Sequence, residues 1–170
     1  TVSTSLFSDL CDTIVSQQLS GKAAATLYSR FLTLFDGDIT PVKVLSYRAE
    51  QIREKGISWA KSYSLLDLAQ KVVDKQVMLE HFETMSNEDV IKQLVTVKGI
   101  GQWSAEMTLM FSLGREDVFS FTDLGLQNAI MRLYELEKKP TKQEIAQLSE
   151  KWSPYRSYAA KLLWKSLDNR

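Results

Sequence analysis

The stretch Leu94-Val95-Thr96-Val97-Lys98-Gly99-Ile100-Gly101-Gln102-Trp103-Ser104-Ala105 decides how this chain is read, together with Asp123 about twenty residues farther on. Two glycines flank one apolar residue between two amphipathic runs. Glycine at both places lets the backbone turn tightly and lets another chain come close. The second run then begins a helix at Gln102, whose leading N–H groups point out of the turn and favour an anion such as a phosphodiester. A packing corner between two helices would show the same local pattern, so the turn has to be weighed with its surroundings.

Those surroundings are helical almost everywhere. Leu6, Phe7, Leu10, Cys11, Ile14 and Val15 recur at helical spacing and predict one buried face. Ser20 can cap a second helix carrying Ala24, Leu27, Tyr28, Phe31 and Leu32 and ending near Gly37. Thr40-Pro41 reads as an N-cap with Pro at the first helical position. Gly56 stops the next helix and Ser58 caps another. Ser86 with Asp89 starts the helix before the glycine turn, and Gln102 to Leu113 follows it, closed by Gly114. Asp123 opens a helix with Leu126, Ile130 and Leu133. Thr141 with Glu144 forms a capping box, and Ser153-Pro154 begins the last helix. No run alternates as a strand would. The expectation is an all-α chain of about ten short helices, with residues 1–170 as a single domain in two helical lobes with a cleft between them and a hairpin over about 87–113.

At 170 residues, 44% hydrophobic and 25% charged, the chain can fill one core or two small lobes. No apolar run is long enough to span a bilayer, and the sequence opens at Thr1 without a signal-peptide pattern. A lone cysteine, Cys11, excludes an internal disulfide and a cysteine-cluster metal centre, and fits an intracellular protein. The 21 basic and 21 acidic residues cancel, which argues against nucleic-acid binding by bulk charge but leaves room for local positive surface. Lys151, Arg156, Lys161, Lys165 and Arg170, against the single acid Asp168, form either such a surface or a solvated helix face.

Asp123 has two readings. It is a good N-cap. It is also a carboxylate that a helix N-terminus would hold ionised, able to stabilise an oxocarbenium-like sugar or orient a water. Asp117, beside Arg115 and Glu116, reads as a solvated loop acid. Trp103, in the first turn of its helix, lines either a core or a pocket; Tyr158 and Trp164 form a further aromatic group. Trp59 and Trp152 read as packing residues. Aromatic walls suit a flipped base, and the polar pair Gln17-Gln18 at a helix end could enter a base stack from the minor groove. His81, the one histidine, lies away from all of these.

Taken together these motifs resemble the helix-hairpin-helix DNA glycosylase superfamily, and within it the 3-methyladenine DNA glycosylase II family. Ile14-Val15-Ser16-Gln17-Gln18-Leu19-Ser20 with Ala23-Ala24 is similar to the family's opening segment. Gly56-Ile57-Ser58 with Lys61 and Leu68-Ala69 is similar to its middle segment, and residues 94–105 to its hairpin. Asp117-Val118-Phe119 leading to Asp123-Leu124 resembles the catalytic stretch. Trp152-Ser153-Pro154-Tyr155-Arg156-Ser157-Tyr158-Ala159 with Trp164 resembles its C-terminal helix.

The resemblance implies a helix-hairpin-helix glycosylase fold and a catalytic role for Asp123. Related bifunctional enzymes carry a Schiff-base lysine where Trp103 stands, so it implies a monofunctional hydrolase without lyase activity. That enzyme would flip out alkylated purines such as 3-methyladenine or 7-methylguanine and cut the N-glycosidic bond in base excision repair. Trp103, Trp164 and Met107 would hold the base; some members have Tyr at the place of Met107. Gln17, Gln18, Leu19, Lys98, Gly99, Gly101 and Ser104 would contact DNA, with Gln18 or Leu19 as the wedge. No cofactor is required. The carbonyls of Val95, Val97 and Ile100 could hold an optional Na or K ion at the hairpin when DNA is bound. The implied partner is double-stranded DNA containing damaged bases, with no membrane. The protein would be a monomer in the cytoplasm or nucleoid of a bacterium or archaeon, or in a eukaryotic nucleus. The alternatives are a non-catalytic helix-hairpin-helix DNA-binding module, or a glycosylase for deaminated or oxidised bases.

Overall fold

The computed structural model describes the backbone of residues 2–168 and the side chains of residues 6–167; Arg170 and the side chain of Asp168 lie outside the described residues. Ten α-helices and no strands occur among the described residues. The chain divides after Thr108 into two compact units.

The first unit holds α1 (Val2–Ser16), α2 (Gly21–Leu32), α3 (Pro41–Leu45), α4 (Ala49–Arg53), α5 (Trp59–Val73), α6 (Asn87–Leu94) and α7 (Gln102–Met107). Helix α5 is its centre: α1, α3 and α4 pack against it, and α1 also packs on α2. The apolar stripe expected of α1 is fully inside, from Leu6 to Val15, and burial pushes the Cys11 thiol well up. Phe31, Phe35 and Tyr47 stack edge to face in succession.

The helix starts follow their caps. The hydroxyls of Thr40, Ser58 and Ser86 accept from the N–H groups of Lys43, Lys61 and Asp89. Ser20 precedes α2 with no side-chain cap bond, and α2 ends at Leu32 in a 3₁₀ turn over Thr33–Phe35.

The second unit holds α8 (Leu124–Leu133), α9 (Lys142–Glu150) and α10 (Arg156–Asp168), with α8 packed on α10. Thr141 and Glu144 form the expected capping box. The helical run after the glycine turn is α7 followed by a π turn over Thr108–Ser112, and Gly114 beyond it has φ +64°. Two sequence expectations are corrected here. Helix α10 begins at Arg156 and not at Ser153-Pro154, because the Asp117 carboxylate accepts from the Arg156 N–H (3.2 Å) and the Ser153 hydroxyl (3.1 Å) and so caps the helix two residues later. By the same bonds Asp117 is not a solvated loop acid.

Candidate active site and nucleic-acid interface

In the first unit the glycine turn joins α6 to α7, which pack on each other. Val97 accepts from the Ile100 N–H (3.1 Å), and Gly101 N-caps α7, its carbonyl closing the first helical turn with the Ala105 N–H. The two glycines are present for different reasons. Gly99 has φ +82°, and a β-carbon there would stand 2.5 Å from Ser64 Oγ. The turn sits directly on α5, and only glycine fits. Gly101 has an ordinary extended backbone (φ −94°, ψ 176°), and a β-carbon there would meet nothing within 4 Å. Its bareness leaves open surface at the helix start, as the approach of another backbone requires.

Long-range bonds brace this turn. Gln17 Nε2 donates to the Gly99 carbonyl (2.7 Å). The Lys98 N–H donates to Asp67 (2.8 Å), which also pairs with Lys71 (2.7 Å). Burial alone would raise the Asp67 carboxyl, but the bonds from Lys71 and the Lys98 amide outweigh it and hold it below the usual range. Lys61 Nζ donates to the carbonyls of Val15 and Gln17 (2.8 and 2.7 Å), finishing α1. Desolvation lowers its ammonium pKa.

The segment that follows α1 is exposed at its tip. Gln18 adopts φ +60°, a left-handed backbone that costs a non-glycine residue about 1 kcal/mol. Gln18 is exposed and Leu19 is 40% exposed. The segment predicted to enter DNA is therefore a raised tip, tied by Gln17 to the same turn predicted to hold a phosphate.

On α7, Trp103 is 47% exposed, Met107 is half-buried and Ser104 is buried. Glu106, one turn on from Trp103, is buried; its Oε1 accepts from Gln102 (2.8 Å), while Oε2 has no partner. Trp59 is not the packing residue expected. It is 42% exposed, stacked on Tyr63 with the Arg53 guanidinium 4.9 Å over its ring.

In the second unit Asp123 N-caps α8 and is 9% exposed. Its Oδ1 accepts from the Leu126 N–H (2.7 Å) and from the indole Nε1–H of Trp164 (3.0 Å). The capping reading of Asp123 holds, and capping is how the carboxylate is fixed. Trp164 stacks on Phe111 (centroids 6.1 Å, 26° between planes), over which Lys161 places its ammonium (5.2 Å).

The loop leading to Asp123 is clamped to α10. Arg156 binds Asp117 through Nε and Nη2 (2.6 and 2.8 Å) and holds that carboxyl below its ordinary range. Ser157, fully buried, donates to the Arg115 carbonyl, receives the Val118 N–H and gives its own N–H to Glu116. Phe119 packs against Phe121 and Trp152. Gln127 Nε2 donates to the Phe121 carbonyl two residues before the acid. Sequence reasoning missed Lys61, Ser64, Asp67, Phe111 and the Arg156–Asp117 clamp as supports, because nothing local marks a partner tens of residues away.

The model for HhH-GPD superfamily base-excision DNA repair proteins matches residues 11–154. This chain belongs to that superfamily. Among HhH-GPD relatives, the Schizosaccharomyces pombe DNA-3-methyladenine glycosylase 1 is 36% identical over 94% of this chain and 72% of its own length. A Bacillus subtilis protein provisionally named a DNA-3-methyladenine glycosylase is 33% identical over 96% of this chain, which spans 60% of that relative's length. The solved structure of the S. pombe 3-methyladenine DNA glycosylase in complex with abasic DNA matches with a TM-score of 0.80 at 37% identity, over 94% of this chain and 79% of that one. Among the described residues no helix is long and apolar enough to cross a membrane, and no group of three or more His, Cys, Asp or Glu side chains could hold a metal ion.

Proposed function

We propose that residues 1–170 act as one glycosylase domain that binds damaged duplex DNA, flips out an alkylated purine and hydrolyses its N-glycosidic bond, leaving an abasic site. The observation that carries this is the Asp123 carboxylate, nearly buried and held at Oδ1 by two donors, in a chain whose HhH-GPD relatives are named for release of 3-methyladenine. The S. pombe structure with abasic DNA supports duplex DNA as the partner.

Alkylation at N3 or N7 gives the purine a positive charge. When the C1′–N bond breaks, its electron pair neutralises the leaving base and the positive charge moves to the sugar. A carboxylate already oriented then stabilises that charge at no cost of reorganisation. Water adds to C1′ and gives up a proton, for which the carboxylate is a ready acceptor. Trp103 is not an amine, so no Schiff base forms and the strand stays intact.

On this reading the N–H groups of Gly99, Gly101 and Ser104 hold a phosphate beside the open surface at Gly101, with Lys98 adjacent. Gln18 or Leu19 fills the vacated stack from the tip after α1, braced by Gln17. Trp103, Met107 and Trp164 grip the base, the aromatic rings favouring a cationic one. The Val95, Val97 and Ile100 carbonyls are hard oxygen donors that suit a monovalent Na or K ion bound with DNA, with Val97 sharing its oxygen with the Ile100 amide. The protein acts as a monomer, wherever the cell keeps its DNA.

The test is release of free base from methylated duplex DNA, identified by chromatography, for the wild type and Asp123→Asn. Release of 3-methyladenine or 7-methylguanine by the wild type alone is expected, with DNA binding retained by the variant. Binding without release from methylated DNA, and from a panel of deaminated and oxidised lesions, would leave a non-catalytic DNA-binding module.

A further inference from the structure

Gly125 is the second residue of α8, and its backbone is not in the left-handed region that demands glycine. Helix propensity also argues against glycine in this place, since alanine is the better helix former. The reason for it is steric. A β-carbon at Gly125 would lie 3.0 Å from Asp123 Oδ1, 3.1 Å from Trp164 Cδ1 and 3.2 Å from Trp164 Nε1. These are the acceptor, the donor and the donor's neighbouring ring atom of a single hydrogen bond, Trp164 Nε1–H to Asp123 Oδ1 at 3.0 Å.

We infer that Gly125 and Trp164 are positioning residues for Asp123: the missing side chain at Gly125 lets the edge of the Trp164 indole reach the carboxylate and fix its orientation. The inference rests on the assignment of Asp123 as the catalytic acid. Trp164 thereby has a role at its edge that is separate from any stacking by its face. The face is aligned by Phe111, whose ring Lys161 covers. A bond to the same Oδ1 from the Leu126 N–H comes from the helix itself and fixes where the oxygen sits. The indole approaches from α10, so the two donors together set the tilt of the carboxylate plane. A stabilising group must be set before charge develops on the sugar, because reorienting it in the transition state would raise the barrier.

The discriminating variant is Gly125→Ala, because a methyl group there meets the carboxylate oxygen and the edge of the Trp164 indole, the two ends of the hydrogen bond, while leaving both side chains in the protein. It must push the indole edge or the carboxylate by a few tenths of an ångström. Three quantities are read: single-turnover base release from methylated duplex DNA at saturating enzyme, DNA affinity, and the proton resonance of the Trp164 indole N–H. That resonance is identified by its loss in Trp164→Phe. The expected result is release about tenfold slower, affinity within about twofold of the wild type, and an indole resonance displaced toward that of a water-exposed tryptophan. The double variant Gly125→Ala/Trp164→Phe should lose no more than Trp164→Phe alone, since both remove one interaction. Release at the wild-type rate by Gly125→Ala, with or without a displaced resonance, overturns the positioning role. If Asp123→Asn releases base normally, the assignment of the acid fails instead, and this role falls with it.

Discussion

Trp103, Gln18 and Leu19 carry the residue-scale predictions. Trp103 is 47% exposed at the start of a helix beside a glycine turn, so a base stacked there would take a large apolar area out of water. Trp103→Ala should reduce release of alkylated purines by about tenfold or more while changing the melting temperature little; equal kinetics on methylated DNA would remove it from the pocket. The two wedge candidates separate by backbone strain. Gln18→Gly relieves a left-handed backbone, so stability should rise by about 1 kcal/mol. If the Gln18 side chain fills the stack, release should slow despite that gain. If it does not, Leu19→Ala should be the slow variant, and pre-steady-state base release distinguishes them. The sequence marked all three positions, but that Gln17 turns back to the Gly99 carbonyl follows from a contact across 82 residues.

The helix-turn-helix of α6 and α7 shows what the element scale adds. Both glycines were legible as a turn, yet the structure separates them. Gly99→Ala brings a left-handed β-carbon against Ser64 and should destabilise the protein by about 2–4 kcal/mol. Gly101→Ala meets open space, so its stability should be unchanged within about 0.5 kcal/mol, while DNA affinity falls because the methyl group occupies the approach. Urea unfolding and DNA titration of the pair check this; equal losses of stability would mean that both glycines serve only the fold. Caps were legible for the same reason that they work: a hydroxyl and an amide three residues apart satisfy each other with no help from the rest of the chain. The start of α10 was misjudged because its cap, Asp117, lies 39 residues before Arg156.

Across the whole molecule, stability in acid should depend on a few carboxylates rather than on net charge, which is zero. Asp117 is one of these, its pKa lowered first by the Arg156 guanidinium. A carboxylate whose folded pKa lies below its unfolded value of about 3.9 stabilises the protein fully above that pH. The contribution fades as pH falls through the folded value. Asp117→Asn should therefore lower the melting temperature at neutral pH by roughly 3–6 °C, and the difference from the wild type should shrink toward zero in strong acid. A constant difference from pH 7 to pH 2 would mean that Asp117 acts through packing alone. Because the proposed chemistry uses a carboxylate and no divalent metal, chelation with EDTA should leave base release unchanged.

What the sequence by itself determined is whatever repeats or pairs within a few residues. The apolar stripes of the helices, the caps at Thr40, Ser58, Ser86, Asp123 and Thr141, the glycine turn and the succession of motifs gave the all-α class and the superfamily before any coordinate. What only the tertiary structure decided is which groups meet from distant parts of the chain. Lys61 closes α1, Ser64 makes Gly99 obligatory, Arg156 and Ser157 clamp the loop before the acid, and Trp164 reaches Asp123 over the bare face of Gly125. Local patterns are readable because backbone geometry fixes the spacing of near neighbours. A hydrogen bond between residues 41 positions apart has no such spacing, and exists only once packing has brought its two helices together.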